Sequence, residues 1–194
     1  YNCRRGGIVM EIETIEFSGL ASALQALRLP FGKDTRSMVD FNLKITAKED
    51  ICFLDSSCYI EVDPNDLELL STLIKRGDEH AKVLRGVQIY AKIKAPVYWW
   101  CEMETYRLGH ERLSSESTMH IDCKGLSGEE LEKVKSSITM GKELTKIDMF
   151  SYQTLRRIYQ QRKDHRLKEW RDFCNWIEGL PFAKELITIG LNKE

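Results

Sequence analysis

The sequence has no long apolar run and no dominant sign of charge. Its 194 residues contain no stretch of about 18 consecutive apolar side chains, so no membrane span is expected. The 29 basic and 30 acidic side chains nearly cancel, which leaves no bulk field for nucleic acid and requires any anion site to be a local pocket. No apolar segment follows Arg4 and Arg5, so no secretory signal is expected, and residues 1–7 are predicted to be a frayed tail.

The cysteines form none of the patterns that bind a metal or cross-link a secreted fold. There are six, with no C-x-x-C pair and no His/Cys spacing of a zinc site, so we expect no metal. At this density and chain length a disulfide scaffold is disfavoured. We expect mostly buried free thiols in a reducing cytoplasm. The positions are Cys3, Cys52, Cys58, Cys101, Cys123 and Cys174.

The chain also lacks internal repeats and low-complexity linkers, which favours one domain of residues 1–194. Alternating apolar and polar residues predict a strand-rich half over 8–94, and helical spacing predicts a helical half over 95–194. Long or helical connections hide the strand order. The predicted class is therefore α+β, with an antiparallel or mixed sheet and a helical second half.

Local patterns place elements within the two halves. Ser18 is predicted to cap a helix that Pro30 ends, and Asp63 to cap one with Pro64 at its first position and Gly77 at its end. Strands are predicted over residues 8–17, 39–45, 58–62 and 87–93. Later helices are predicted from Pro96 toward Arg107, from a Ser127/Glu130 capping box to about Glu143, from Ile147 to Lys163, around Trp170, and from Pro181.

Residues 106–120 carry the densest chemistry in the chain. They contain two arginines, two histidines, two glutamates and four Ser/Thr hydroxyls, directly after the apolar, aromatic segment 95–100. Arginine supplies a planar fork of donors for phosphate, and hydroxyls supply short, adaptable donors. The stretch therefore predicts a phosphate or nucleotide site. The alternative is a solvated, charged helix end.

The order of several segments resembles that of the flavin-dependent thymidylate synthases. In that family the signature R-H-R-x-x-S-x-N-E-x-S-x-R follows a K-A-P-like strand end; here Lys94-Ala95-Pro96 precedes an aromatic helix and an arginine-rich stretch ending in Ser115-Glu116. The resemblance spans roughly residues 20 to 190. Further matching segments are 26–31, 70–77, 155–164 and 181–187, with Trp170 eight residues after Arg162.

The resemblance implies a fold, a chemistry and an assembly. Family members are α+β protomers that form homotetramers with active sites between subunits. They bind FAD, reduce it with NADPH, take a methylene from methylenetetrahydrofolate and convert dUMP to dTMP. The redox chemistry belongs to the cofactor, which suits a chain whose sequence shows no catalytic triad. A pyrimidine deoxynucleotide is thus the implied substrate.

The resemblance also implies cofactor-binding residues. Arg107 matches the last arginine of R-H-R, Tyr106 stands where the family has histidine, and Glu116 matches the signature glutamate. His110 matches no family histidine, but it is an added candidate because it lies in a three-residue expansion of the signature. The alternatives are a surface salt bridge for Arg107, packing for Tyr106 and pairing with a helix dipole for Glu116.

Three residues are candidates for catalysis. Ser115 and Thr118 compete for the signature hydroxyl, with helix capping as the alternative for either. Arg162 matches the arginine at the end of a helix that reaches the nucleotide in the family, with a C-terminal dipole partner as its alternative.

Three segments depart from the family pattern. R-H-R becomes residues 105–107 with one arginine, N-x-R near the substrate becomes residues 151–153, and H-E-T-P-F-E-H is largely replaced within 77–85. Lost cations predict weaker FAD binding than in typical relatives. The function expected is flavin-dependent transfer of a one-carbon unit to C5 of a uracil nucleotide, giving dTMP or another 5-substituted pyrimidine. The alternatives are a non-catalytic nucleotide-binding homologue and, more distantly, a nucleic-acid-binding module.

Overall fold

The computed structural model describes residues 10–33, 38–48 and 51–191, with the backbone alone described from 38 to 61; the predicted tail, 1–7, lies outside the described residues. The strands are β1 (Glu11–Ser18), β2 (Met38–Lys48), β3 (Ile51–Glu61), β4 (Gln88–Pro96), β5 (His110–Ser115) and β6 (Glu143–Ser151). Four of them form an antiparallel sheet of order β1-β4-β6-β5, and β2 pairs with β3 in a hairpin. The α+β class is confirmed, with the antiparallel form of the sheet.

The helices of the described part lie before, between and after these strands in the chain. They are α1 (Leu20–Arg28), α2 (Pro64–Arg76), α3 (Val97–Met103), α4 (Thr118–Ile121), α5 (Gly128–Ser137), α6 (Tyr152–Arg162) and α7 (Lys168–Glu178), followed by a π-helical turn (Lys184–Thr188). Helix α2 begins as predicted, because the Asp63 side chain accepts a hydrogen bond from the Asn65 backbone at 2.8 Å and Pro64 takes the first position.

The predicted cap of α1 is wrong. Ser18 ends β1, and Gly19 precedes the helix with a φ of 82°. A Cβ on Gly19 would meet the Gly86 carbonyl oxygen at 1.8 Å. A tertiary approach to Gly86 therefore requires glycine at this turn, and no local pattern in the sequence reveals that approach.

The helix predicted from Ile147 begins only at Tyr152. Residues 143–151 form β6, which pairs with β4 on one side and β5 on the other. Buried Lys146, Asp148 and Phe150 alternate with half-buried Ile147 and Met149. Pairing on both edges satisfies the backbone of this strand, so tertiary context overrides local helical preference. Two strands thus come from the half predicted to be helical.

Two other helix boundaries also differ from the prediction. Helix α3 ends at Met103, before Arg107, and α5 ends at Ser137, before Glu143. Ser127 does precede α5, but its side chain makes no capping hydrogen bond, so the predicted capping box is absent.

Aromatic rings fix the end of the sheet that carries the dense stretch. Trp99 of α3 lies 5.0 Å from Trp170 and 5.4 Å from Phe173 of α7, between ring centroids, and Phe173 lies 5.7 Å from Phe150 of β6. All four are fully buried. Burying such rings is among the largest single stabilising contributions in a core, typically about 3–5 kcal/mol lost on truncation to Ala. These contacts hold α3 against α7 and β6.

The described residues contain no helix long and apolar enough to cross a membrane. They contain no cluster of three or more His, Cys, Asp or Glu side chains that could hold a metal ion. Of their free cysteines, Cys123 and Cys174 are buried and Cys101 is exposed. Burial raises the pKa of the Cys174 thiol to about 12.

Candidate functional site

The predicted residues Tyr106 and Arg162 meet in one cluster. Arg162 Nε donates a hydrogen bond of 2.8 Å to the Tyr106 hydroxyl, and Nη1 lies 3.3 Å from Glu102 Oε2. The same carboxylate oxygen accepts a 2.7 Å hydrogen bond from Trp170 Nε1, and the guanidinium lies 4.6 Å from the centroid of the Trp170 ring. Arg162 therefore makes several specific side-chain contacts that its alternative role, as a partner of the C-terminal helix dipole, does not explain.

Arg107 is exposed beside this cluster. Its Nε donates to the Glu104 backbone carbonyl at 3.2 Å, whereas the Glu104 carboxylate pairs with Arg112. Among the described residues no carboxylate forms an ion pair with Arg107, so the salt bridge offered as its alternative role is not formed. Most of its guanidinium donors thus face solvent, as an anion-binding arginine requires.

His110 is buried at the first position of β5. Its ring stacks on Phe150 with 4.5 Å between centroids, and its Nε2 lies 2.6 Å from Asp148 Oδ2. The Tyr106 carbonyl lies 3.2 Å from Nδ1, and a carbonyl can only accept, so Nδ1 donates. Both ring nitrogens are occupied within the protein, and a direct cofactor contact by His110 stays a prediction.

The remaining predicted residues follow at the other end of β5. Glu116 accepts a hydrogen bond from the Thr145 backbone at 2.7 Å and prolongs the pairing with β6. The Ser115 hydroxyl donates to the Glu116 carbonyl, and the Thr118 hydroxyl contacts Lys135. Neither hydroxyl caps a helix. Five residue steps at about 3.4 Å each separate His110 from Ser115 by roughly 17 Å.

A cavity of about 410 Å³ lies beside Glu116 on the sheet. Salt bridges of Lys92 and Lys94 with β1 glutamates cross this part of the sheet. Its charges are thus largely paired within the protein. The lining residues are Glu11, Ile12, Glu13, Lys92, Lys94, Glu116 and Thr145.

A second cavity, of about 310 Å³, lies where β5 begins and α6 starts. This volume is at the lower end of the usual range for small-molecule sites, about 300–1,000 Å³. Two arginines give it a positive lining. The lining residues are Arg85, Leu108, Gly109, Ser151, Gln153 and Arg157.

Gly109 gives the second cavity a wall of bare backbone. Its φ is 73°, and a Cβ there would meet Ser151 Oγ at 2.4 Å and Thr154 Oγ1 at 2.6 Å. Thr154 Oγ1 donates to the Leu108 carbonyl at 2.5 Å, and Ser151 N donates to the Gly109 carbonyl at 2.7 Å. Only glycine fits so close an approach between the loop and the start of α6.

The arginines of the second cavity are the functional candidates that sequence reasoning missed. Arg85 Nε donates to Gln153 Oε1 at 2.8 Å, and Gln153 Nε2 donates to the Asp78 carbonyl at 3.1 Å. Arg157 Nε donates to Asp78 Oδ2 at 2.7 Å. Arg157 lies four residues after Gln153 on α6, so helical spacing was the available signal. Arg85 had no such signal.

Two of the segments that depart from the family pattern, 77–85 and 151–153, meet the expanded signature at the second cavity. The segment 77–85 contributes Arg85 and the adjoining Asp78, the expanded signature contributes Gly109, and the replaced N-x-R contributes Ser151 and Gln153. Residues that are up to 79 positions apart in the chain therefore line or adjoin one space.

No model of a known protein family matches the sequence, and no curated protein does either. Solved structures do match. One of thymidylate synthase X from Helicobacter pylori, with FAD and dUMP, aligns over 96% of this chain and 100% of its own, with a TM-score of 0.64 and 14% identity.

Two further structures agree with this match. Another complex of the H. pylori enzyme with FAD and dUMP covers 94% of this chain and 100% of its own, with a TM-score of 0.63 and 14% identity. A UMP/dUMP methylase from Streptomyces cacaoi, bound with 5-bromo-dUMP, covers 94% and 93%, with a TM-score of 0.57 and 11% identity. The fold expected from the sequence is confirmed: this chain has the fold of the flavin-dependent thymidylate synthases.

Proposed function

We propose that this chain binds a flavin and a pyrimidine deoxynucleotide and transfers a one-carbon unit to C5 of the uracil ring. The observation that carries the proposal is the convergence of three family-related segments on the second cavity, within a fold shared along nearly the whole chain. In the neighbouring structures the named ligands are FAD, dUMP and 5-bromo-dUMP. The product is dTMP or a related 5-substituted pyrimidine.

The donors around the second cavity fit an anionic cofactor such as FAD. Arg85 and Arg157 supply cations, and the backbone at Gly109 allows close approach of a ligand. Arg107 supplies a third, exposed guanidinium from the same loop. These residues would hold the flavin and its pyrophosphate. When bound and reduced by NADPH, the flavin supplies the hydride that completes the transferred group, with methylenetetrahydrofolate as the carbon donor.

Arg162 is proposed to hold the nucleotide, and Tyr106, which is hydrogen-bonded to it, to contact the cofactor. Their mutual hydrogen bond fixes both side chains before a ligand arrives, which reduces the entropy cost of binding. Glu116 is proposed as a cofactor-side residue, with Ser115 or Thr118 as the hydroxyl that assists the reaction. About 17 Å of strand separates His110 from Ser115, so the site residues at the two ends of β5 would not reach one ligand within a single chain. Residues from one end would instead meet residues from the other end of β5 in a neighbouring subunit. We therefore propose a homotetramer with shared sites.

A second candidate is a nucleotide-binding homologue without catalysis. Internal contacts favour it, because Arg162 already bonds to Tyr106 and Glu102, and Glu116 already bonds to the Thr145 backbone. A ligand would have to compete with these partners. The two candidates share a binding site and differ in turnover.

The deciding experiment has two stages. The absorption spectrum of the purified chain, before and after addition of FAD, should show the bands of bound flavin. Release of tritium from dUMP labelled at C5, in the presence of NADPH and methylenetetrahydrofolate, should then report transfer. A chain that binds dUMP without releasing tritium supports the homologue. A chain that binds neither ligand contradicts both candidates.

A further inference from the structure

Lys146 of β6 is buried without forming an ion pair with any residue that the structure describes. Its residue exposure is 9%, and its Nζ lies 4.4 Å from the centroid of the Trp100 ring. Within the described part of the chain, its ammonium makes no ion pair and no hydrogen bond, and the ring is its sole polar contact. A lysine buried to this degree is nearly always paired with a carboxylate.

Arg112 shares the same indole. Its guanidinium carbon lies 5.4 Å from the Trp100 centroid, and its Nη1 donates to Glu104 Oε1 at 2.5 Å. Its Nε lies 3.4 Å from Asp148 Oδ1 without forming a hydrogen bond, and Nη2 is buried with no hydrogen-bond partner in the described part of the structure. Donors of two cations are thus left without acceptors around one ring.

The Lys146 amine is not fully enclosed. Its Nζ makes no hydrogen bond, yet it is not among the enclosed side-chain atoms that lack a partner, whereas two nitrogens of Arg112 are. Part of its surface therefore reaches solvent beyond the buried carbon stem, as is common for lysine.

The charge balance around Lys146 favours its neutral form. Burial lowers its pKa below the usual range, and the neighbouring Arg112 adds to this effect. Asp148, Glu104 and Cys101 oppose it more weakly. At neutral pH, a larger share of Lys146 than of an exposed lysine carries a free lone pair.

We propose that Lys146 is a nucleophilic amine that condenses with aldehydes carrying an anionic group, with Arg112 attracting that group. The amine lone pair attacks the carbonyl carbon, and a C=N bond replaces the C=O bond. The carbonyl oxygen leaves as water together with the two amine hydrogens, so no oxidant or reductant is consumed. The positive charge of Arg112 attracts a phosphate or a carboxylate alike. Lys146 does not line the second cavity, although it is paired with Ser115 across β5 and β6, so imine formation goes beyond the proposed function and its test uses neither flavin nor dUMP.

Trapping of the imine in the full-length chain tests the proposal. The chain is treated at neutral pH with limiting pyridoxal 5′-phosphate, glyoxylate or uncharged pyridoxal, reduced with borohydride, and mapped by peptide mass spectrometry. Lys146 should be labelled several-fold faster than Lys92 and Lys94, which are more exposed and paired with glutamates. The two anionic aldehydes should react faster than pyridoxal, and their ratio shows whether phosphate or carboxylate is preferred.

Two variants separate the contribution of the Lys146 amine from that of the Arg112 charge. Lys146→Arg should abolish the fast label, and Arg112→Gln should remove the advantage of the anionic aldehydes. Labelling spread evenly over the lysines, or equal rates for pyridoxal and its phosphate on the native chain, would overturn the proposal. Both of these contradicting outcomes are measured on the native chain, so the proposal can be overturned even if a variant does not fold.

Discussion

Arg162 Nε donates to the Tyr106 hydroxyl across 56 positions of the chain, at 2.8 Å. The bond joins the end of α6 to the loop after α3. The family resemblance identifies Arg162 and Tyr106 as candidates from two separate segments, and the structure places the two side chains in contact. Trp170 lies against both side chains, so α7 supports the pair.

Arg162→Ala is expected to weaken dUMP binding and also to lower stability. Loss of a charge-assisted contact to the nucleotide should cost about 1.5–3 kcal/mol of binding free energy. Loss of the bonds to Tyr106 and Glu102 should lower the melting temperature as well. Calorimetric titration and a thermal melt measure the two effects. Arg166→Ala, at an exposed arginine in the connection between α6 and α7, is the control. Unchanged dUMP affinity in a folded Arg162→Ala chain would remove Arg162 from the site.

Arg85→Gln and Arg157→Gln are expected to weaken FAD binding by about 1.5–3 kcal/mol each, because each removes a cation from the lining of the second cavity. A fluorescence titration with FAD gives the affinities. Arg76→Gln changes the same residue type at an exposed position on α2, outside the cavity, and should bind FAD like the native chain. Equal losses in all three variants would mean that net charge, not the cavity, governs binding.

The sequence predicts those elements whose determinants are local. Asp63 and Pro64 specify the start of α2 through contacts within three residues, and that start is confirmed. Gly19 is required by Gly86, far away in the chain, so the cap of α1 was mispredicted. Residues 143–151 form a strand because β4 and β5 pair with them, a condition that a single segment does not encode. The second cavity is likewise a product of tertiary contacts, and Arg85 enters it without any local signature.

His110→Ala distinguishes a structural histidine from a cofactor ligand. The change removes the stacking on Phe150 and the 2.6 Å contact with Asp148, which is fully buried. Of the described residues, only Arg112, whose Nε lies 3.4 Å from Asp148, would then pair with this carboxylate. Removing one partner of a buried pair typically costs about 3–5 kcal/mol, so a large drop in the free energy of unfolding is expected. Denaturant unfolding measures it, and Asp148→Asn in the His110→Ala background should recover part of the loss. If stability is unchanged while FAD affinity falls, His110 acts on the cofactor directly.

The assembly is expected to be a homotetramer. The physical reason is that His110 and Ser115 lie at opposite ends of β5, too far apart for the site residues around each to contact one ligand within a single chain. Closed homo-oligomers are the common way to complete such a site. Light scattering at micromolar concentration should report four copies of the 22.6 kDa chain. A monomer mass would contradict the shared site and would restrict the proposed function to what one chain provides.

Gly109→Ala tests the second cavity by steric means. A Cβ at this position would meet Ser151 Oγ at 2.4 Å and Thr154 Oγ1 at 2.6 Å, so the loop should be pushed away from α6. The positive φ adds a strain of about 1–2 kcal/mol. Gly125→Ala is a matched control, because its φ is 78° and a Cβ there meets nothing within 4 Å.

Both glycine variants should carry the backbone strain, but Gly109→Ala alone should also carry the clash. We expect a modest drop in melting temperature for Gly125→Ala, with FAD and dUMP affinities like those of the native chain. Gly109→Ala should lose more stability and most of its FAD binding. A Gly109→Ala chain that binds FAD as tightly as Gly125→Ala would show that the cofactor lies elsewhere, and the convergence of the three segments at this cavity would then carry no functional meaning.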